Sequence, residues 1–129
     1  MTRLSGLRIL VVEDEYLLSR QVARALTALG ADVVGCAAGV AAALDSIARL
    51  GAIDLALLDV NLAGEKVYPV ADELVRRGIG FVFLSGYDLD DRDPRFAGWP
   101  QLSKPVTMPM LVAALETATN RMPAPAPAS

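Results

Sequence analysis

Acidic side chains follow two apolar runs of the sequence that are each short enough to be a buried strand. Glu13 and Asp14 come directly after residues 7–12, and Asp59 comes directly after residues 54–58. In an open α/β sheet the ligand crevice lies at the carboxyl ends of the strands, so we expect these carboxylates to converge there. Three acids gathered at one edge would form a compact oxygen site for a hard cation.

Two further polar residues follow later apolar runs, Ser85 after a fourth and Lys104 after a weak fifth. Together with the acids they permit phosphoryl transfer. Asp59 could be the nucleophile that forms an acyl-phosphate, while a divalent cation on Asp14 and Asp59 neutralises the charge of the transferring oxygens. The Ser85 hydroxyl and the Lys104 ammonium would bind the remaining phosphoryl oxygens.

Each of these residues also has an ordinary structural interpretation. The acids after the first strand could be a cluster favoured by the dipole at a helix N-terminus, and Asp59 could be a turn residue or a helix cap. Ser85 could be a turn serine before Gly86, and Lys104 a solvated lysine. The chemical interpretation is favoured because the structural ones would have to hold independently at four strand ends.

Strand-length apolar runs alternate along the chain with stretches of helical spacing. The strands are predicted at residues 7–12, 32–36, 54–58, 79–84 and about 100–103. The helices are predicted from the first strand to Gly30, over 39–50, from near Pro69 to Gly78, and from Pro109 onward. Five strands and about five helices indicate a doubly wound α/β fold, in which a five-stranded parallel sheet carries helices on both faces.

Apolar residues at helical spacing are expected to face the sheet. In the four predicted helices they are Leu18, Val22, Ala25, Leu26 and Leu29; Val40, Ala43, Leu44, Ile47 and Leu50; Val70, Leu74 and Val75; and Leu111, Val112, Leu115 and Ala118. Aspartate, proline and glycine between residues 85 and 100 discourage a long helix, so we expect a loop with at most a short helix there.

Composition limits the classes of protein that the chain can be. Its 129 residues fit one domain, which we place at 1–120, with a Pro/Ala-rich tail over 121–129 that we expect to be disordered. A net charge of −3 argues against nucleic-acid binding, and histidine is absent, which excludes histidine-based catalysis and histidine-ligated zinc. The single cysteine, Cys36, is expected in the core. Without a signal segment or an apolar span, we expect a cytoplasmic protein with no membrane association.

Four ordered motifs between about residues 7 and 120 resemble those of the receiver domain of a bacterial two-component response regulator. They are Leu10-Val11-Val12-Glu13-Asp14-Glu15, Leu57-Leu58-Asp59-Val60-Asn61-Leu62, Leu84-Ser85-Gly86 and Ser103-Lys104-Pro105. The resemblance implies a flavodoxin-like fold of the receiver type and a role in phosphorelay signalling. Its donor histidine would belong to a histidine kinase or a histidine phosphotransfer protein.

The resemblance also implies roles for individual residues. Asp59 would accept the phosphoryl group, with Ser85 and Lys104 as the other catalytic residues, and the Lys104–Pro105 peptide would be cis. Mg²⁺ would sit on Glu13, Asp14, Asp59 and the backbone carbonyl of Asn61. Such a protein promotes its own phosphorylation and dephosphorylation without turning over a separate substrate, and it signals by altered binding to a downstream protein.

The sequence departs from the common receiver pattern at two positions. Receivers usually carry an aromatic switch residue three positions before the lysine, and Gln101 stands there, so the usual coupled rotation of an aromatic ring is not carried over. Residues 81–87 instead resemble a mostly single-domain subset with a Phe-Ala-Thr-Gly-Tyr-like string. In that subset Tyr87 is the candidate switch residue, and we expect a receiver without its own output domain.

Three alternatives have distinct signatures. A pseudo-receiver adaptor would lack an acid, the hydroxyl or the lysine, and a phosphate sink would drain a kinase without a downstream partner. A haloacid-dehalogenase-like phosphatase would need a second aspartate two residues after Asp59, where Asn61 stands. The sequence therefore favours the receiver over the phosphatase and leaves signalling and sink roles open.

Overall fold

The computed structural model describes residues 4–86 and 93–120. In chain order its elements are β1 (Arg8–Val12), α1 (Tyr16–Ala28), β2 (Asp32–Ala37), α2 (Val40–Leu50), β3 (Leu55–Asp59), β4 (Asn61–Leu62), β5 (Glu65–Lys66), α3 (Tyr68–Arg76), β6 (Gly80–Ser85), a 3₁₀ turn (Pro94–Phe96), β7 (Gln101–Ser103) and α4 (Met108–Asn120). The five strands predicted from the sequence are present, each within about a residue of its predicted bounds.

The main sheet has five strands in the order β2-β1-β3-β6-β7, and all of its neighbouring pairs are parallel. The chain moves one way from β1 to β2 and then crosses back to β3 on the other side of β1. That reversal makes the gap between β1 and β3 the topological switch point, where open α/β sheets bind ligands. The predicted doubly wound fold is confirmed.

The two faces of the sheet are covered by different kinds of side chain. Helices α1 and α4 pack on one face over aliphatic residues such as Ile9, Leu57 and Val82. Helices α2 and α3 pack on the other face, whose core includes Phe81 and Phe83. Strands β1, β3 and β6 are apolar on both sides because both faces are buried, which is why they read as continuous runs in the sequence.

Helix α3 differs from its prediction in which residues it buries. Pro69 lies in the first turn, where its missing N–H costs nothing, and Val70, Ala71 and Leu74 are buried. Val75, expected to face the core, is 37% exposed. It lies at the edge of the apolar stripe, about 140° around the helix from Val70, whereas buried Ala71 and Leu74 lie at about 100° and 40°.

The segment before β7 packs as an aromatic plug, by which we mean the described residues 93–99. Phe96 stacks on Tyr68 with ring centroids 5.6 Å apart, and Trp99 stacks on Phe81 at 4.1 Å. The only helical geometry of the plug is the 3₁₀ turn, in agreement with the short helix expected there. The described residues therefore hold four α-helices and one 3₁₀ turn.

Cys36 is exposed, which corrects its prediction as a core residue. It lies on β2, which is at the edge of the described sheet beside β1, and edge strands are incompletely covered. Within residues 4–86 and 93–120, no helix is long and apolar enough to span a membrane. The predicted tail over 121–129 and the candidate switch residue Tyr87 lie outside the described residues.

Candidate functional site

The predicted polar residues converge at the carboxyl edge of the sheet. Asp59 and Ser85 are the last residues of β3 and β6, Glu13 follows β1, and Lys104 follows β7. Backbone hydrogen bonds continue past the strands: the Glu13 N–H donates to Ala37 O at 2.9 Å and the Lys104 N–H donates to Ser85 O at 2.7 Å. The sheet itself therefore fixes where these four side chains begin.

Three carboxylates form a cluster at this edge. Glu13, Asp14 and Asp59 each offer an oxygen, and these oxygens lie within 4.8 Å of one another. Glu13 and Asp59 are each only 4% exposed, whereas Asp14 is exposed. Burying two acids so close together disfavours their charged forms unless a cation or a proton compensates.

A short hairpin after Asp59 closes one side of the site. Strands β4 and β5 pair antiparallel around Ala63 and Gly64, which take positive φ angles of 52° and 94°. The Ala63 N–H donates to Asp14 Oδ2 at 2.9 Å, and the Asn61 N–H donates to Asp59 Oδ1 at 3.2 Å. The hairpin was not predicted from the sequence, and it orients two of the three carboxylates.

Lys104 lies among the acids. Its Nζ donates to Asp59 Oδ2 at 2.9 Å and lies 3.1 Å from Glu13 Oε1 and 3.6 Å from Glu15 Oε2. Burial by itself would lower the pKa of Lys104, but the contacts with Asp59 and Glu13 outweigh it and hold the pKa above its ordinary value. The ammonium is therefore charged at any physiological pH. The Lys104–Pro105 peptide is cis, as the resemblance implied.

Glu13 carries the clearest sign that the site suits a cation. Burial, reinforced by neighbouring Asp59, raises the pKa of Glu13 to about 7. Its Oε1 is buried and accepts no hydrogen bond from the described residues, although Lys104 Nζ lies at ion-pair distance. A buried carboxylate oxygen with this unmet capacity, beside two more carboxylates, fits a hard divalent cation such as Mg²⁺.

Ser85 contacts a residue whose role sequence reasoning missed. The Gln101 Nε2–H donates to Ser85 Oγ at 3.1 Å, and Ser85 is 4% exposed. The sequence identified Gln101 only as a departure from the aromatic residue usual at its position. The signal for the contact is the pairing of β6 with β7, which sets Gln101 opposite Phe83, and that register is not readable from the sequence.

Two grooves flank the site. One of about 430 Å³ opens beside Asp14, between α1 and the end of β2. The other, of about 670 Å³, runs between the start of α1 and the loop after β7, where Leu17 faces Pro105 and Val106. Tyr16 and Leu17 are 68% and 76% exposed, which places large apolar side chains on the surface next to the acids.

Comparisons with known proteins point to one family. No family model matches the chain. The solved structure of SdrG from Sphingomonas melonis Fr1 is 43% identical with a TM-score of 0.78, over 93% of this chain and 99% of SdrG. The signal receiver domain of a modulated diguanylate cyclase from Desulfovibrio desulfuricans G20 has a TM-score of 0.80 at 26% identity, over 92% of this chain and 97% of that domain.

A curated relative is also similar along most of the chain. TcrA, a transcriptional regulatory protein of Mycobacterium tuberculosis, is 35% identical over 97% of this chain. The match covers 51% of TcrA, so the chain spans about half the length of that relative.

Proposed function

The chain belongs to the response regulator receiver family, and from that membership we propose that it accepts a phosphoryl group on Asp59 and signals through altered binding to protein partners. The observation that carries the proposal is the combination of Asp59 with two neighbouring acids and a lysine. Glu13 and Asp14 offer oxygens within 4.8 Å, and Lys104 Nζ lies 2.9 Å from Asp59 Oδ2.

The residues divide the chemistry among them. A carboxylate oxygen of Asp59 attacks the phosphorus of a phosphohistidine on a kinase or phosphotransfer protein, the P–N bond breaks, and the imidazole leaves with its electron pair. Lys104 stays protonated and offers its charge to the transferred oxygens, while Ser85 offers a directional hydroxyl donor. Nothing in this step requires a histidine from the chain itself.

The acids would hold Mg²⁺. Glu13, Asp14 and Asp59 supply the carboxylates, and the backbone carbonyl of Asn61 completes the proposed ligand set. When bound, Mg²⁺ neutralises charge on the phosphoryl oxygens. A cation held there would also compensate the charge of ionised Glu13, and Lys104, 2.9 Å from Asp59 Oδ2, would offer its charge to the phosphoryl group.

The proposed donor protein binds at the start of α1 and occupies the groove lined by Leu17, Pro105 and Val106. Exposed Tyr16 and Leu17 would cover part of the partner and exclude water from the transfer. This supports a protein donor over a small ester as the physiological one. We place the encounter in the cytoplasm, where kinases and phosphotransfer proteins display their phosphohistidines.

Two other roles are weaker on specific grounds. A pseudo-receiver has no use for a complete acceptor site, and here Asp59, Lys104 and Ser85 all lie at the same edge. A phosphate sink uses the same chemistry and differs only in lacking a downstream partner. The difference is a matter of partners, so phosphorylation itself is the first property to test.

The test is incorporation of phosphoryl groups from acetyl phosphate, followed by intact mass spectrometry with and without Mg²⁺. We expect one added phosphoryl group in the wild-type protein, abolished by chelator and by Asp59→Asn. Asp45→Asn, which changes an exposed aspartate paired with Arg49 on α2, is the matched control and should label normally. Absence of labelling in the wild type, or normal labelling of Asp59→Asn, would refute the assignment.

A further inference from the structure

Gln101 is the residue of β7 that reaches the hydroxyl of Ser85. In parallel strands alternate residues share a face, and the register sets Gln101 beside Phe83 and Ser103 beside Ser85. Gln101 therefore extends along the same face toward the end of β6, where its Nε2 lies 3.1 Å from Ser85 Oγ. The contact links β7 to the hydroxyl that is proposed to bind the phosphoryl group.

The direction of this hydrogen bond determines what Ser85 can do. A serine hydroxyl has one proton and two lone pairs, whereas an amide N–H can only donate. Ser85 Oγ must therefore accept from Gln101, and its own proton stays available for another acceptor. Among the described residues the structure gives that hydroxyl no other hydrogen-bond partner.

Burial makes the contact consequential. Ser85 is 4% exposed and its carbonyl accepts from the Lys104 N–H at 2.7 Å, so both its backbone and its hydroxyl oxygen are tied to β7 and the residue after it. Without Gln101, the hydroxyl proton would also be free to turn toward β7. With the Gln101 N–H on one side of Oγ, the proton is kept off that side and is available to donate to an anionic oxygen.

We propose that Gln101 is a positioning residue for the phosphoryl chemistry at Asp59. It does not contact the phosphoryl group itself but holds Ser85 Oγ so that the hydroxyl proton points to a phosphoryl oxygen. The inference rests on the proposed function of Asp59. The proposed effect of Gln101 on labelling passes through Ser85, and this sets it apart from a residue that merely fills space.

The experiment is a double-mutant cycle on the initial rate of labelling by acetyl phosphate with Mg²⁺. Ser85→Ala should slow labelling roughly tenfold to a hundredfold, because it removes a hydrogen bond to a charged group. Gln101→Leu should slow it about threefold to tenfold, the effect of losing a neutral hydrogen bond. In the Ser85→Ala background, Gln101→Leu should change nothing further.

A second substitution separates positioning from packing. Gln101→Glu keeps the shape of the side chain but replaces the donor with an acceptor, which would take the Ser85 proton for itself. We expect it to be slower than Gln101→Leu and to lose that extra effect when Ser85 is alanine. Ser103→Ala, a hydroxyl deletion at the exposed position in register with Ser85, is the control and should label at the wild-type rate.

Labelling of the wild type with equal rates for Gln101→Leu overturns the inference and leaves the proposed function standing. So does a Gln101→Leu effect that persists unchanged in the Ser85→Ala background. No labelling of the wild type overturns the proposed function and the inference with it. Should Gln101→Leu not fold, the same cycle run with Gln101→Glu carries the test.

Discussion

The interior of the main sheet buries apolar side chains, whereas its carboxyl edge buries polar and charged ones, although the same strands form both. In β6, Phe81 is fully buried among aromatic rings, while four residues later Ser85 is equally enclosed but polar. In β3, Leu57 packs against aliphatic neighbours and Asp59 ends the strand with a buried carboxylate. The change from apolar to polar occurs within one residue of a common level, since Asp59 is in register with Leu84, the residue before Ser85.

Burial therefore has different effects on folding free energy in the interior and at the edge. Apolar burial in the interior favours folding at roughly 25 cal/mol per Å² of buried apolar area. A buried acid costs free energy unless it is compensated, and at the edge Lys104 faces Asp59 and Glu13 together. We therefore expect substitutions in the interior to change stability and substitutions at the edge to change phosphorylation.

Asp59→Asn is the largest test of this contrast. It should lower labelling by roughly a thousandfold or more, because it removes the nucleophile. It should change the free energy of unfolding by no more than about 1 kcal/mol, because losing the contact with Lys104 is offset by relief of repulsion from Glu13. Intact mass spectrometry measures the labelling, and denaturant unfolding of the same samples measures the stability. A large loss of stability would show that the acid is structural.

Phe81→Ala tests the interior in the same strand system. Removing this ring leaves a cavity beside Phe83, Phe96 and Trp99, and should cost about 3–5 kcal/mol in urea unfolding. The folded fraction should still label at close to the wild-type rate. Val75→Ala is the control, because that side chain is 37% exposed and its loss should cost less than about 1 kcal/mol. A folded Phe81→Ala protein that cannot be labelled would break the contrast.

Glu13 makes the stability of the metal-free protein depend on pH. Its pKa rises from 4.5 in the unfolded chain to about 7 in the folded protein, chiefly through burial. The folded state therefore binds more protons between those values, and stability is lost as pH rises through the folded pKa. Unfolding in chelator should show a loss on the order of 2 kcal/mol from about pH 5 to about pH 8.

Two additions sharpen the pH test. Glu13→Gln should be nearly independent of pH over that interval, since the titrating group is gone. Mg²⁺ should restore stability to the wild-type protein at the higher pH, because a cation compensates the ionised carboxylates. A pH-dependence that persists in Glu13→Gln would assign it to another group.

The smallest effect is expected at the surface of the aromatic plug. Arg95 pairs with Asp72 at 2.9 Å and with Asp93 at 2.9 Å, but all three side chains reach solvent. Exposed ion pairs contribute little, so Arg95→Ala should leave both the urea midpoint and the labelling rate unchanged. A clear fall in labelling would extend the functional edge into the plug.

The sequence predicted most of what depends on continuous burial. Strands β3 and β6 are apolar on both sides, so their bounds and the polar residues that end them were readable directly. The convergence of Glu13, Asp14 and Asp59 followed because parallel strands share one carboxyl edge.

The features that sequence reasoning missed depend on the pairing of very short strands or on the partial burial of an edge strand. Strands β4 and β5 are two residues each, too short to show alternation, and only Gly64 hinted at a turn. Cys36 was wrongly predicted to be buried because an apolar run does not show whether its strand lies at the edge of the sheet. The Gln101–Ser85 hydrogen bond depends on the register of β7, which three residues of sequence cannot specify.

The measurement that tests the central claim most directly is identification of the labelled residue. Protein phosphorylated with acetyl phosphate and Mg²⁺ is reduced with borohydride, which converts an aspartyl phosphate to homoserine, and the product is mapped by peptide mass spectrometry. We predict homoserine at position 59 and nowhere else. Homoserine at position 14, a label on a serine, or an unmodified peptide around Asp59 would contradict the account.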